Sequence, residues 1–199
     1  MTHTITFAEA RDALAEGRPV ILPTDTVYGL GVAVGPAEGP GELFRLKGRD
    51  EGKPVAWLVA DPADLGRYGA GVPAYARELA ARLWPGALTL IVGASEEVPP
   101  AFRSAAGTIG LRMPACEETL ALIRAAGAPL AVTSANPAGA PAPRRAADVD
   151  AALAAAAGGV LAGDDPLGGT ASTVVDCTGD APRVLREGPL AAAVAGARP

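Results

Sequence analysis

The stretch RPVILPTDTVYGLG, residues 18–31, joins an apolar run to a cluster of hydroxyl and glycine residues. RPVILP (18–23) is a short apolar segment between breaking residues, which predicts a buried strand. The following TDTVYGLGVAVG predicts the end of that strand and a loop. Thr24, Asp25 and Thr26 could direct hydroxyl and backbone N–H groups toward an anion. Alternatively, the hydroxyls satisfy the backbone of a local turn, and the spacing leaves both interpretations open.

Helical and extended patterns alternate on either side of this stretch. Helices are predicted at 7–17, 41–47, 73–84, 116–127 and about 146–157, with a short one in DPADLGRYG N-capped by Asp61 and a last one in PLAAAVAG. Strands are predicted at 54–60, 87–94, 108–114, 129–136 and in GGVLAG, STVVDC and PRVLRE. This order predicts an α/β fold: a single domain over residues 1–199, with a twisted mixed parallel and antiparallel sheet and flanking helices.

Composition limits the classes of function. The chain has 199 residues, a net charge of -5, a pI of about 4.9 and 4% aromatic residues. These values argue against a broad nucleic-acid or anionic-membrane surface, because such partners attract clustered positive charge. No apolar run approaches the roughly 20 residues of a membrane span, and the first residues lack the order of a signal peptide. We therefore expect a cytoplasmic protein without a membrane partner.

Histidine and cysteine chemistry is not expected within the fold. His3 is the one histidine and lies close to the N-terminus, whereas Cys116 and Cys177 form no CxxC motif. Catalytic triads, Cys–His pairs and most zinc sites need a histidine or paired thiolates. The chemistry must then depend on Lys, Arg, hydroxyl, amide or carboxylate groups, with a hard metal bound by oxygen as a further option.

The segment LKGRDEGK, residues 46–53, contains both lysines of the chain, Lys47 and Lys53, whereas the other 15 cationic residues of the chain are arginines. With Arg45 and Arg49 they give four cations within nine residues of an acidic protein. A solvated helix end is one interpretation, since cations favour a helix C-terminus. The retention of lysine favours a second interpretation, a binding site that needs the smaller group, because ammonium is a compact point charge and guanidinium a planar fork. A phosphate or carboxylate would suit such a group.

Three further segments carry polar groups at strand ends, where ligands bind in open α/β sheets. TIGLRMP places Thr108, Gly110 and Arg112 on one face of a strand, with Arg112 either binding a carboxylate or exposed at an edge. TSAN offers Ser134 and Asn136 as donors or as parts of a turn. Arg144-Arg145, Ser172-Thr173 and Arg186-Glu187 are weak signals singly. Neither a Walker A sequence nor a strand-borne GxGxxG occurs.

Taken in order, PTDTVYGLG, KGRDEGKP, LWPGALTLIV, TIGLRMP, TSAN, STVVD and RVLREG resemble the YrdC-like family, the L-threonylcarbamoyladenylate synthases. The resemblance extends from about Pro19 to Gly188. It implies a twisted mixed sheet with helices around a basic cavity. It also implies that L-threonine, bicarbonate and ATP react to give threonylcarbamoyl-AMP and pyrophosphate, the first step toward N6-threonylcarbamoyladenosine in tRNA.

The resemblance also implies roles for individual residues. Lys47 and Arg49 match the catalytic Lys-x-Arg pair. The residues expected to bind threonine are Thr24, Lys53, Arg112, Ser134 and Ser172. Those expected to contact ATP are Lys47, Arg49, Thr108, Ser134, Asn136, Arg144 and Arg186. Mg²⁺ is expected to accompany ATP, held by phosphate oxygens and water rather than by protein ligands, although Asp25 could orient it or the basic residues.

Two positions depart from the family pattern: Asp50 replaces a common proline after Arg49, and Ala138 replaces a common serine after SAN. The chain also ends near the catalytic domain, so we expect the 137–145 loop or a partner to close the site. The expected partners are the small substrates and a downstream threonylcarbamoyl transferase, with tRNA bound at most weakly. The alternative function is an RNA-binding, ribosome-maturation module, which the net charge and scarce aromatics disfavour.

Overall fold

The computed structural model describes residues 3–48, 55–164 and 166–196. The strands are β1 Thr4–Ile5, β2 Val20–Leu22, β3 Gly29–Ala33, β4 Ala56–Leu58, β5 Gly69–Ala70, β6 Leu88–Ala94, β7 Thr108–Arg112, β8 Leu130–Ser134, β9 Val160–Leu161, β10 Thr173–Asp176 and β11 Arg183–Arg186. The helices are α1 Phe7–Ala15, α2 Gly41–Lys47, α3 Asp64–Tyr68, α4 Ala74–Leu83, α5 Glu117–Ala126, α6 Ala151–Ala156 and α7 Ala191–Ala195, with short 3-10 turns at Pro100–Phe102 and Ala146–Asp148.

One mixed sheet connects the eleven strands found in these ranges. Its order is β1-β9-β2-β3-β8-β4-β7-β6-β10-β11, with β5 pairing beside β6. The pairs β1–β9, β9–β2, β4–β7 and β6–β10 are parallel, and the other pairs are antiparallel. The predicted α/β class with a mixed sheet is therefore confirmed. None of the helices in the described part of the chain is long and apolar enough to cross a membrane.

The prediction for residues after Tyr28 was wrong. Gly29–Ala33 is not a loop but β3, paired antiparallel with β2 on one side and with β8 on the other. Its sequence, GLGVA, lacks polar alternation because the strand is buried along its whole length. β-carbons at Gly29 and Gly31 would lie 2.6 and 2.8 Å from the methyl groups of Val132 on β8. Glycine thus lets these two strands pair around the bulky valine.

Two helix predictions also need correction at their N-terminal ends. α3 begins at Asp64 with Ala63 as the N-cap residue, and the Asp61 carboxylate accepts from the Ala63 N–H in the preceding turn. The helix expected at about 146–157 is shorter, because Asp150 caps α6 by accepting from the N–H of Leu153. The residues before Asp150 form the 3-10 turn instead.

Helices cover the two faces of the sheet unequally, and this positions the site. On one face, α1 and α5 pack over β2, β3 and β8 through an apolar cluster that includes Leu14, Leu122 and Val132. The opposite face carries the larger cluster, which contains Trp57 and Leu111. On the first face, the strands beyond β8 leave a concave surface instead of a packed core.

Candidate active site

A cavity of about 330 Å³ lies over the central strands of this face. It is lined by Thr24, Thr26, Val27, Tyr28, Gly29, Val55, Ala56, Leu58, Thr89, Ile91, Thr108, Gly110, Arg112, Val132, Thr133, Ser134, Ala142, Ala171, Ser172, Val174 and Arg186. Strands β3, β8, β4, β7, β6 and β10 each contribute to its floor. Six of the residues expected to bind substrate line it: Thr24, Thr108, Arg112, Ser134, Ser172 and Arg186.

The alternation predicted for β7 is confirmed. Thr108, Gly110 and Arg112 all face the cavity, whereas Ile109 and Leu111 lie in the apolar cluster behind the sheet. Because β7 is central and paired with both β4 and β6, Arg112 is not an edge residue in solvent. Only 6% of its surface is exposed.

The turn after β2 uses its hydroxyl groups locally. Thr24 Oγ1 accepts from the N–H groups of Thr26 at 3.1 Å and Val27 at 3.2 Å, and donates to the Val27 carbonyl at 2.7 Å. The local-turn interpretation of this stretch therefore describes the Thr24 side chain. Thr24 Oγ1 also lies 2.9 Å from Thr26 Oγ1, and either hydroxyl can be the donor in this contact.

Arg112 extends this chain of hydrogen bonds. Its Nη1 donates to Thr26 Oγ1 at 3.0 Å, its Nε donates to the Gly86 carbonyl at 3.1 Å, and its Nη2 pairs with the Asp25 carboxylate at 2.5 Å. Burial lowers the pKa of Arg112, while the charge of Asp25 opposes that shift. These contacts use three of the five guanidinium N–H groups, which leaves one on each terminal nitrogen to meet a carboxylate bidentately.

Lys47 is the last residue of α2 and points inward. Gly48 ends the helix in the left-handed conformation with φ of 59°, and 5% of Lys47 is exposed. Its Nζ donates to the Ser134 carbonyl, to Ser134 Oγ at 3.3 Å and to Asn136 Oδ1 at 3.3 Å. The solvated-end interpretation is therefore wrong for Lys47. Arg49, Asp50 and Lys53 lie outside the described residues, so their predicted roles stay predictions.

The proline-rich loop after β8 is tied to α2 and to the loop before β10. Asn136 Nδ2 donates to the carbonyls of Pro137 and Ala140, and the Ala138 N–H donates to the Lys47 carbonyl at 3.0 Å. Ala138 thus contributes a backbone contact at the position where the family often has serine. Arg144 is exposed, donates from Nε to the Leu167 carbonyl at 3.1 Å, and does not line the cavity.

Ser172 and Arg186 form the opposite wall with a residue that the sequence analysis missed. Arg186 Nη2 donates to Ser172 Oγ at 3.0 Å and its Nε donates to the Ser172 carbonyl at 2.9 Å. Thr89 Oγ1 lies 2.8 Å from Ser172 Oγ and is also buried. The signal for Thr89 was a single hydroxyl within the apolar strand sequence ALTLIV, but threonine is common in strands for packing reasons alone.

The described lining of the cavity carries basic side chains and no acidic ones. The described residues that line it include two guanidinium groups and no carboxylate, and Lys47 contacts its wall through Ser134. Within the described ranges no group of three or more His, Cys, Asp or Glu residues could hold a metal ion. The wall therefore offers N–H and O–H donors that suit phosphate and carboxylate oxygens.

Comparison with known proteins identifies the class to which this fold and cavity belong. A family model described as "Telomere recombination", which covers the Sua5, YciO and YrdC proteins, matches residues 12–188. The chain belongs to the Sua5/YciO/YrdC family, and the resemblance seen in the sequence is confirmed.

Individual relatives carry a more specific name. The chain is 36% identical over 188 residues to the threonylcarbamoyl-AMP synthase of Bacillus subtilis, covering 94% of this chain and 54% of that protein. It is 39% identical to a putative threonylcarbamoyl-AMP synthase of Mycobacterium leprae, covering 94% and 84%. The structure of Pyrococcus abyssi Sua5 complexed with L-threonine matches with a TM-score of 0.85 and 35% identity, over 92% of this chain and 55% of that one. The chain thus spans about half the length of two of these relatives.

Proposed function

We propose that this chain is a threonylcarbamoyl-AMP synthase, which forms threonylcarbamoyl-AMP and pyrophosphate from L-threonine, bicarbonate and ATP. Relatives bearing that name align with 94% of the chain. The Pyrococcus abyssi protein of similar fold binds L-threonine. These names support an enzyme over the RNA-binding alternative.

The observation that carries the proposal is how the cavity joins the two groups of predicted residues. Ser172, expected at threonine, is 3.0 Å from Arg186, expected at ATP. Ser134, expected at both substrates, contacts Lys47 of the catalytic pair. A cavity of about 330 Å³ lies within the range of roughly 300–1,000 Å³ that is typical of small-molecule sites. Both substrates would therefore meet within one basic cavity.

In the proposed mechanism, Arg112 binds the threonine carboxylate through its two remaining N–H directions. The threonine amine attacks bicarbonate and releases water, giving a carbamate. A carbamate oxygen then attacks the α-phosphorus of ATP and displaces pyrophosphate. Both steps concentrate negative charge, so donors fixed before the reaction stabilise the transition state without a side-chain nucleophile.

Lys47 would be the principal donor to the phosphates. Its ammonium already lies among oxygen acceptors in a buried position, and a phosphate oxygen arriving beside Ser134 would compete for the same N–H groups. Mg²⁺, when bound with ATP, would neutralise phosphate charge. The donor set of the cavity fits an ion held by phosphate oxygens and water, since its described lining has no carboxylate.

We further propose that the protein acts in the cytoplasm, as a single domain over residues 1–199, and passes its product to a threonylcarbamoyl transferase that modifies tRNA. The net charge of -5 is consistent with tRNA binding at most weakly.

The test is pyrophosphate release by the purified chain with ATP and Mg²⁺, together with detection of the carbamoyl adenylate by mass spectrometry. We expect release to require both L-threonine and bicarbonate. Release that is indifferent to either one would refute the assignment. Tight binding of tRNA without any adenylate formation would support the RNA-binding alternative instead.

A further inference from the structure

Gly110 occupies the middle of the cavity floor, where neither the backbone nor the packing of the fold requires glycine. It is the third residue of β7 and pairs with Ala56 on β4 and Ile91 on β6. Its φ is not among the positive glycine values. Glycine within a central strand loses packing and costs conformational entropy. The absence of a side chain here therefore needs another explanation.

An alanine side chain would fit at this position. A β-carbon built on Gly110 would lie 3.4 Å from the Thr89 Cγ2 atom and 3.9 Å from the Cα and Cβ atoms of Ala56, which are ordinary van der Waals contacts. The glycines of β3 differ, because their β-carbons would overlap the Val132 methyl groups. Packing accounts for glycine on β3 but not for Gly110 on β7.

The space above Gly110 belongs to the cavity, between two residues expected to hold opposite parts of the bound substrates. Thr108 and Arg112 flank it on the same face. Residues two apart along a strand are separated by about 6.7 Å, so the two flanking α-carbons are about 13 Å apart. A threonyl group joined through a carbamoyl group to a nucleotide phosphate is long enough to extend across this interval.

We propose that Gly110 is a ligand-contact residue: the part of the ligand that connects the group bound by Arg112 to the group near Thr108 lies directly over its α-carbon. The inference rests on the proposed function. The ligand would lie so close to β7 at this point that any side chain at position 110 would prevent its approach.

The test compares Gly110→Ala and Gly110→Val with the wild type and with Gly179→Ala. Gly179 is a suitable control because a β-carbon added there would have no atom within 4 Å and its φ is not positive. The measurements are kcat/KM for adenylate formation, L-threonine affinity by calorimetry, and melting temperature. We expect Gly110→Ala to lower kcat/KM at least tenfold with an unchanged or higher melting temperature, Gly110→Val to lower it further, and Gly179→Ala to match the wild type.

Two results would overturn the inference while leaving the proposed function intact. One is wild-type kcat/KM in Gly110→Ala, which would show that the ligand does not approach the strand. The other is a loss of melting temperature that accounts for the lost activity, which would make Gly110 a structural residue. If the wild type forms no adenylate, the proposed function fails, and the inference that rests on it fails too.

Discussion

The ion pair between Asp25 and Arg112 provides the sharpest test of how the site is built. In Asp25→Asn the side chain keeps its shape but loses its charge, while Arg112 stays buried. The two side chains are 16% and 7% exposed and their charged atoms are 2.5 Å apart. Removing one partner of a buried pair costs about 3–5 kcal/mol. Because asparagine retains one oxygen acceptor for Arg112 and the Ala115 N–H, we expect a loss of about 3 kcal/mol in unfolding free energy, the lower end of that range.

The assay is urea unfolding followed by circular dichroism, with thermal melting as a second measure. A loss of about 3 kcal/mol corresponds to roughly 6–12 °C in a domain of this size. The matched control is Glu97→Gln, which breaks the Arg67–Glu97 pair, whose side chains are 57% and 54% exposed. That change should cost no more than about 1 kcal/mol. If both substitutions cost the same, burial does not strengthen the Asp25 contact and the reasoning is wrong.

Three further predictions concern single side chains. Lys47→Arg should lower kcat about 100-fold while the protein folds normally, because loss of one preorganised donor has about that effect. The control is the reverse exchange on an exposed residue of the same helix, Arg45→Lys, which should leave kcat unchanged. Wild-type turnover in Lys47→Arg would contradict the point-charge argument. Arg112→Lys should raise KM for threonine about tenfold more than KM for ATP, since ammonium cannot bind a carboxylate bidentately. Steady-state titration of each substrate measures the two KM values, and equal increases would count against the carboxylate role of Arg112. The Arg183 guanidinium lowers the pKa of Asp176 from its usual value to about 2. Asp176→Asn should therefore cost about 1 kcal/mol in unfolding free energy at pH 7, and this cost should shrink as the pH falls from about 4 toward 2. A cost that does not change with pH would show that the charge of Asp176 is not involved.

Periodicity explains which parts of the fold were predictable from the sequence. The helix at 41–47 and the alternation in TIGLRMP agree with the structure because each pattern lies within one element. β3 was missed because GLGVA has no polar alternation and two of its five residues are glycines, which are depleted in strands. Its conformation depends on pairing with β2 and β8, the latter about 100 residues further along the chain. Tertiary pairing therefore decided an element whose own residues gave no local signal.

Parts of the site were unpredictable for a related reason. Thr26 was expected to point toward an anion or to satisfy its own turn, and it also accepts from Arg112 on β7. Thr89 contacts Ser172, which is 83 residues away in sequence. A hydroxyl within a strand gives no indication of the residue that it will meet. The resemblance to the family suggested which residues bind the substrates. The residues that position those side chains, such as Thr26 and Thr89, could be identified only from the structure.

The difference between Lys47 and Arg112 explains why lysine suits position 47 in this arginine-rich chain. The three acceptors described around Lys47, two oxygens of Ser134 and one of Asn136, converge on a single nitrogen. A tetrahedral ammonium can serve converging acceptors, whereas a guanidinium would need them spread around a plane. The acceptors around Arg112 are spread in that way, since three different nitrogens donate to Gly86, Thr26 and Asp25. Each cation thus fits the arrangement of its acceptors, and exchanging them would leave buried donors and acceptors unpaired even though the net charge of the cavity is unchanged.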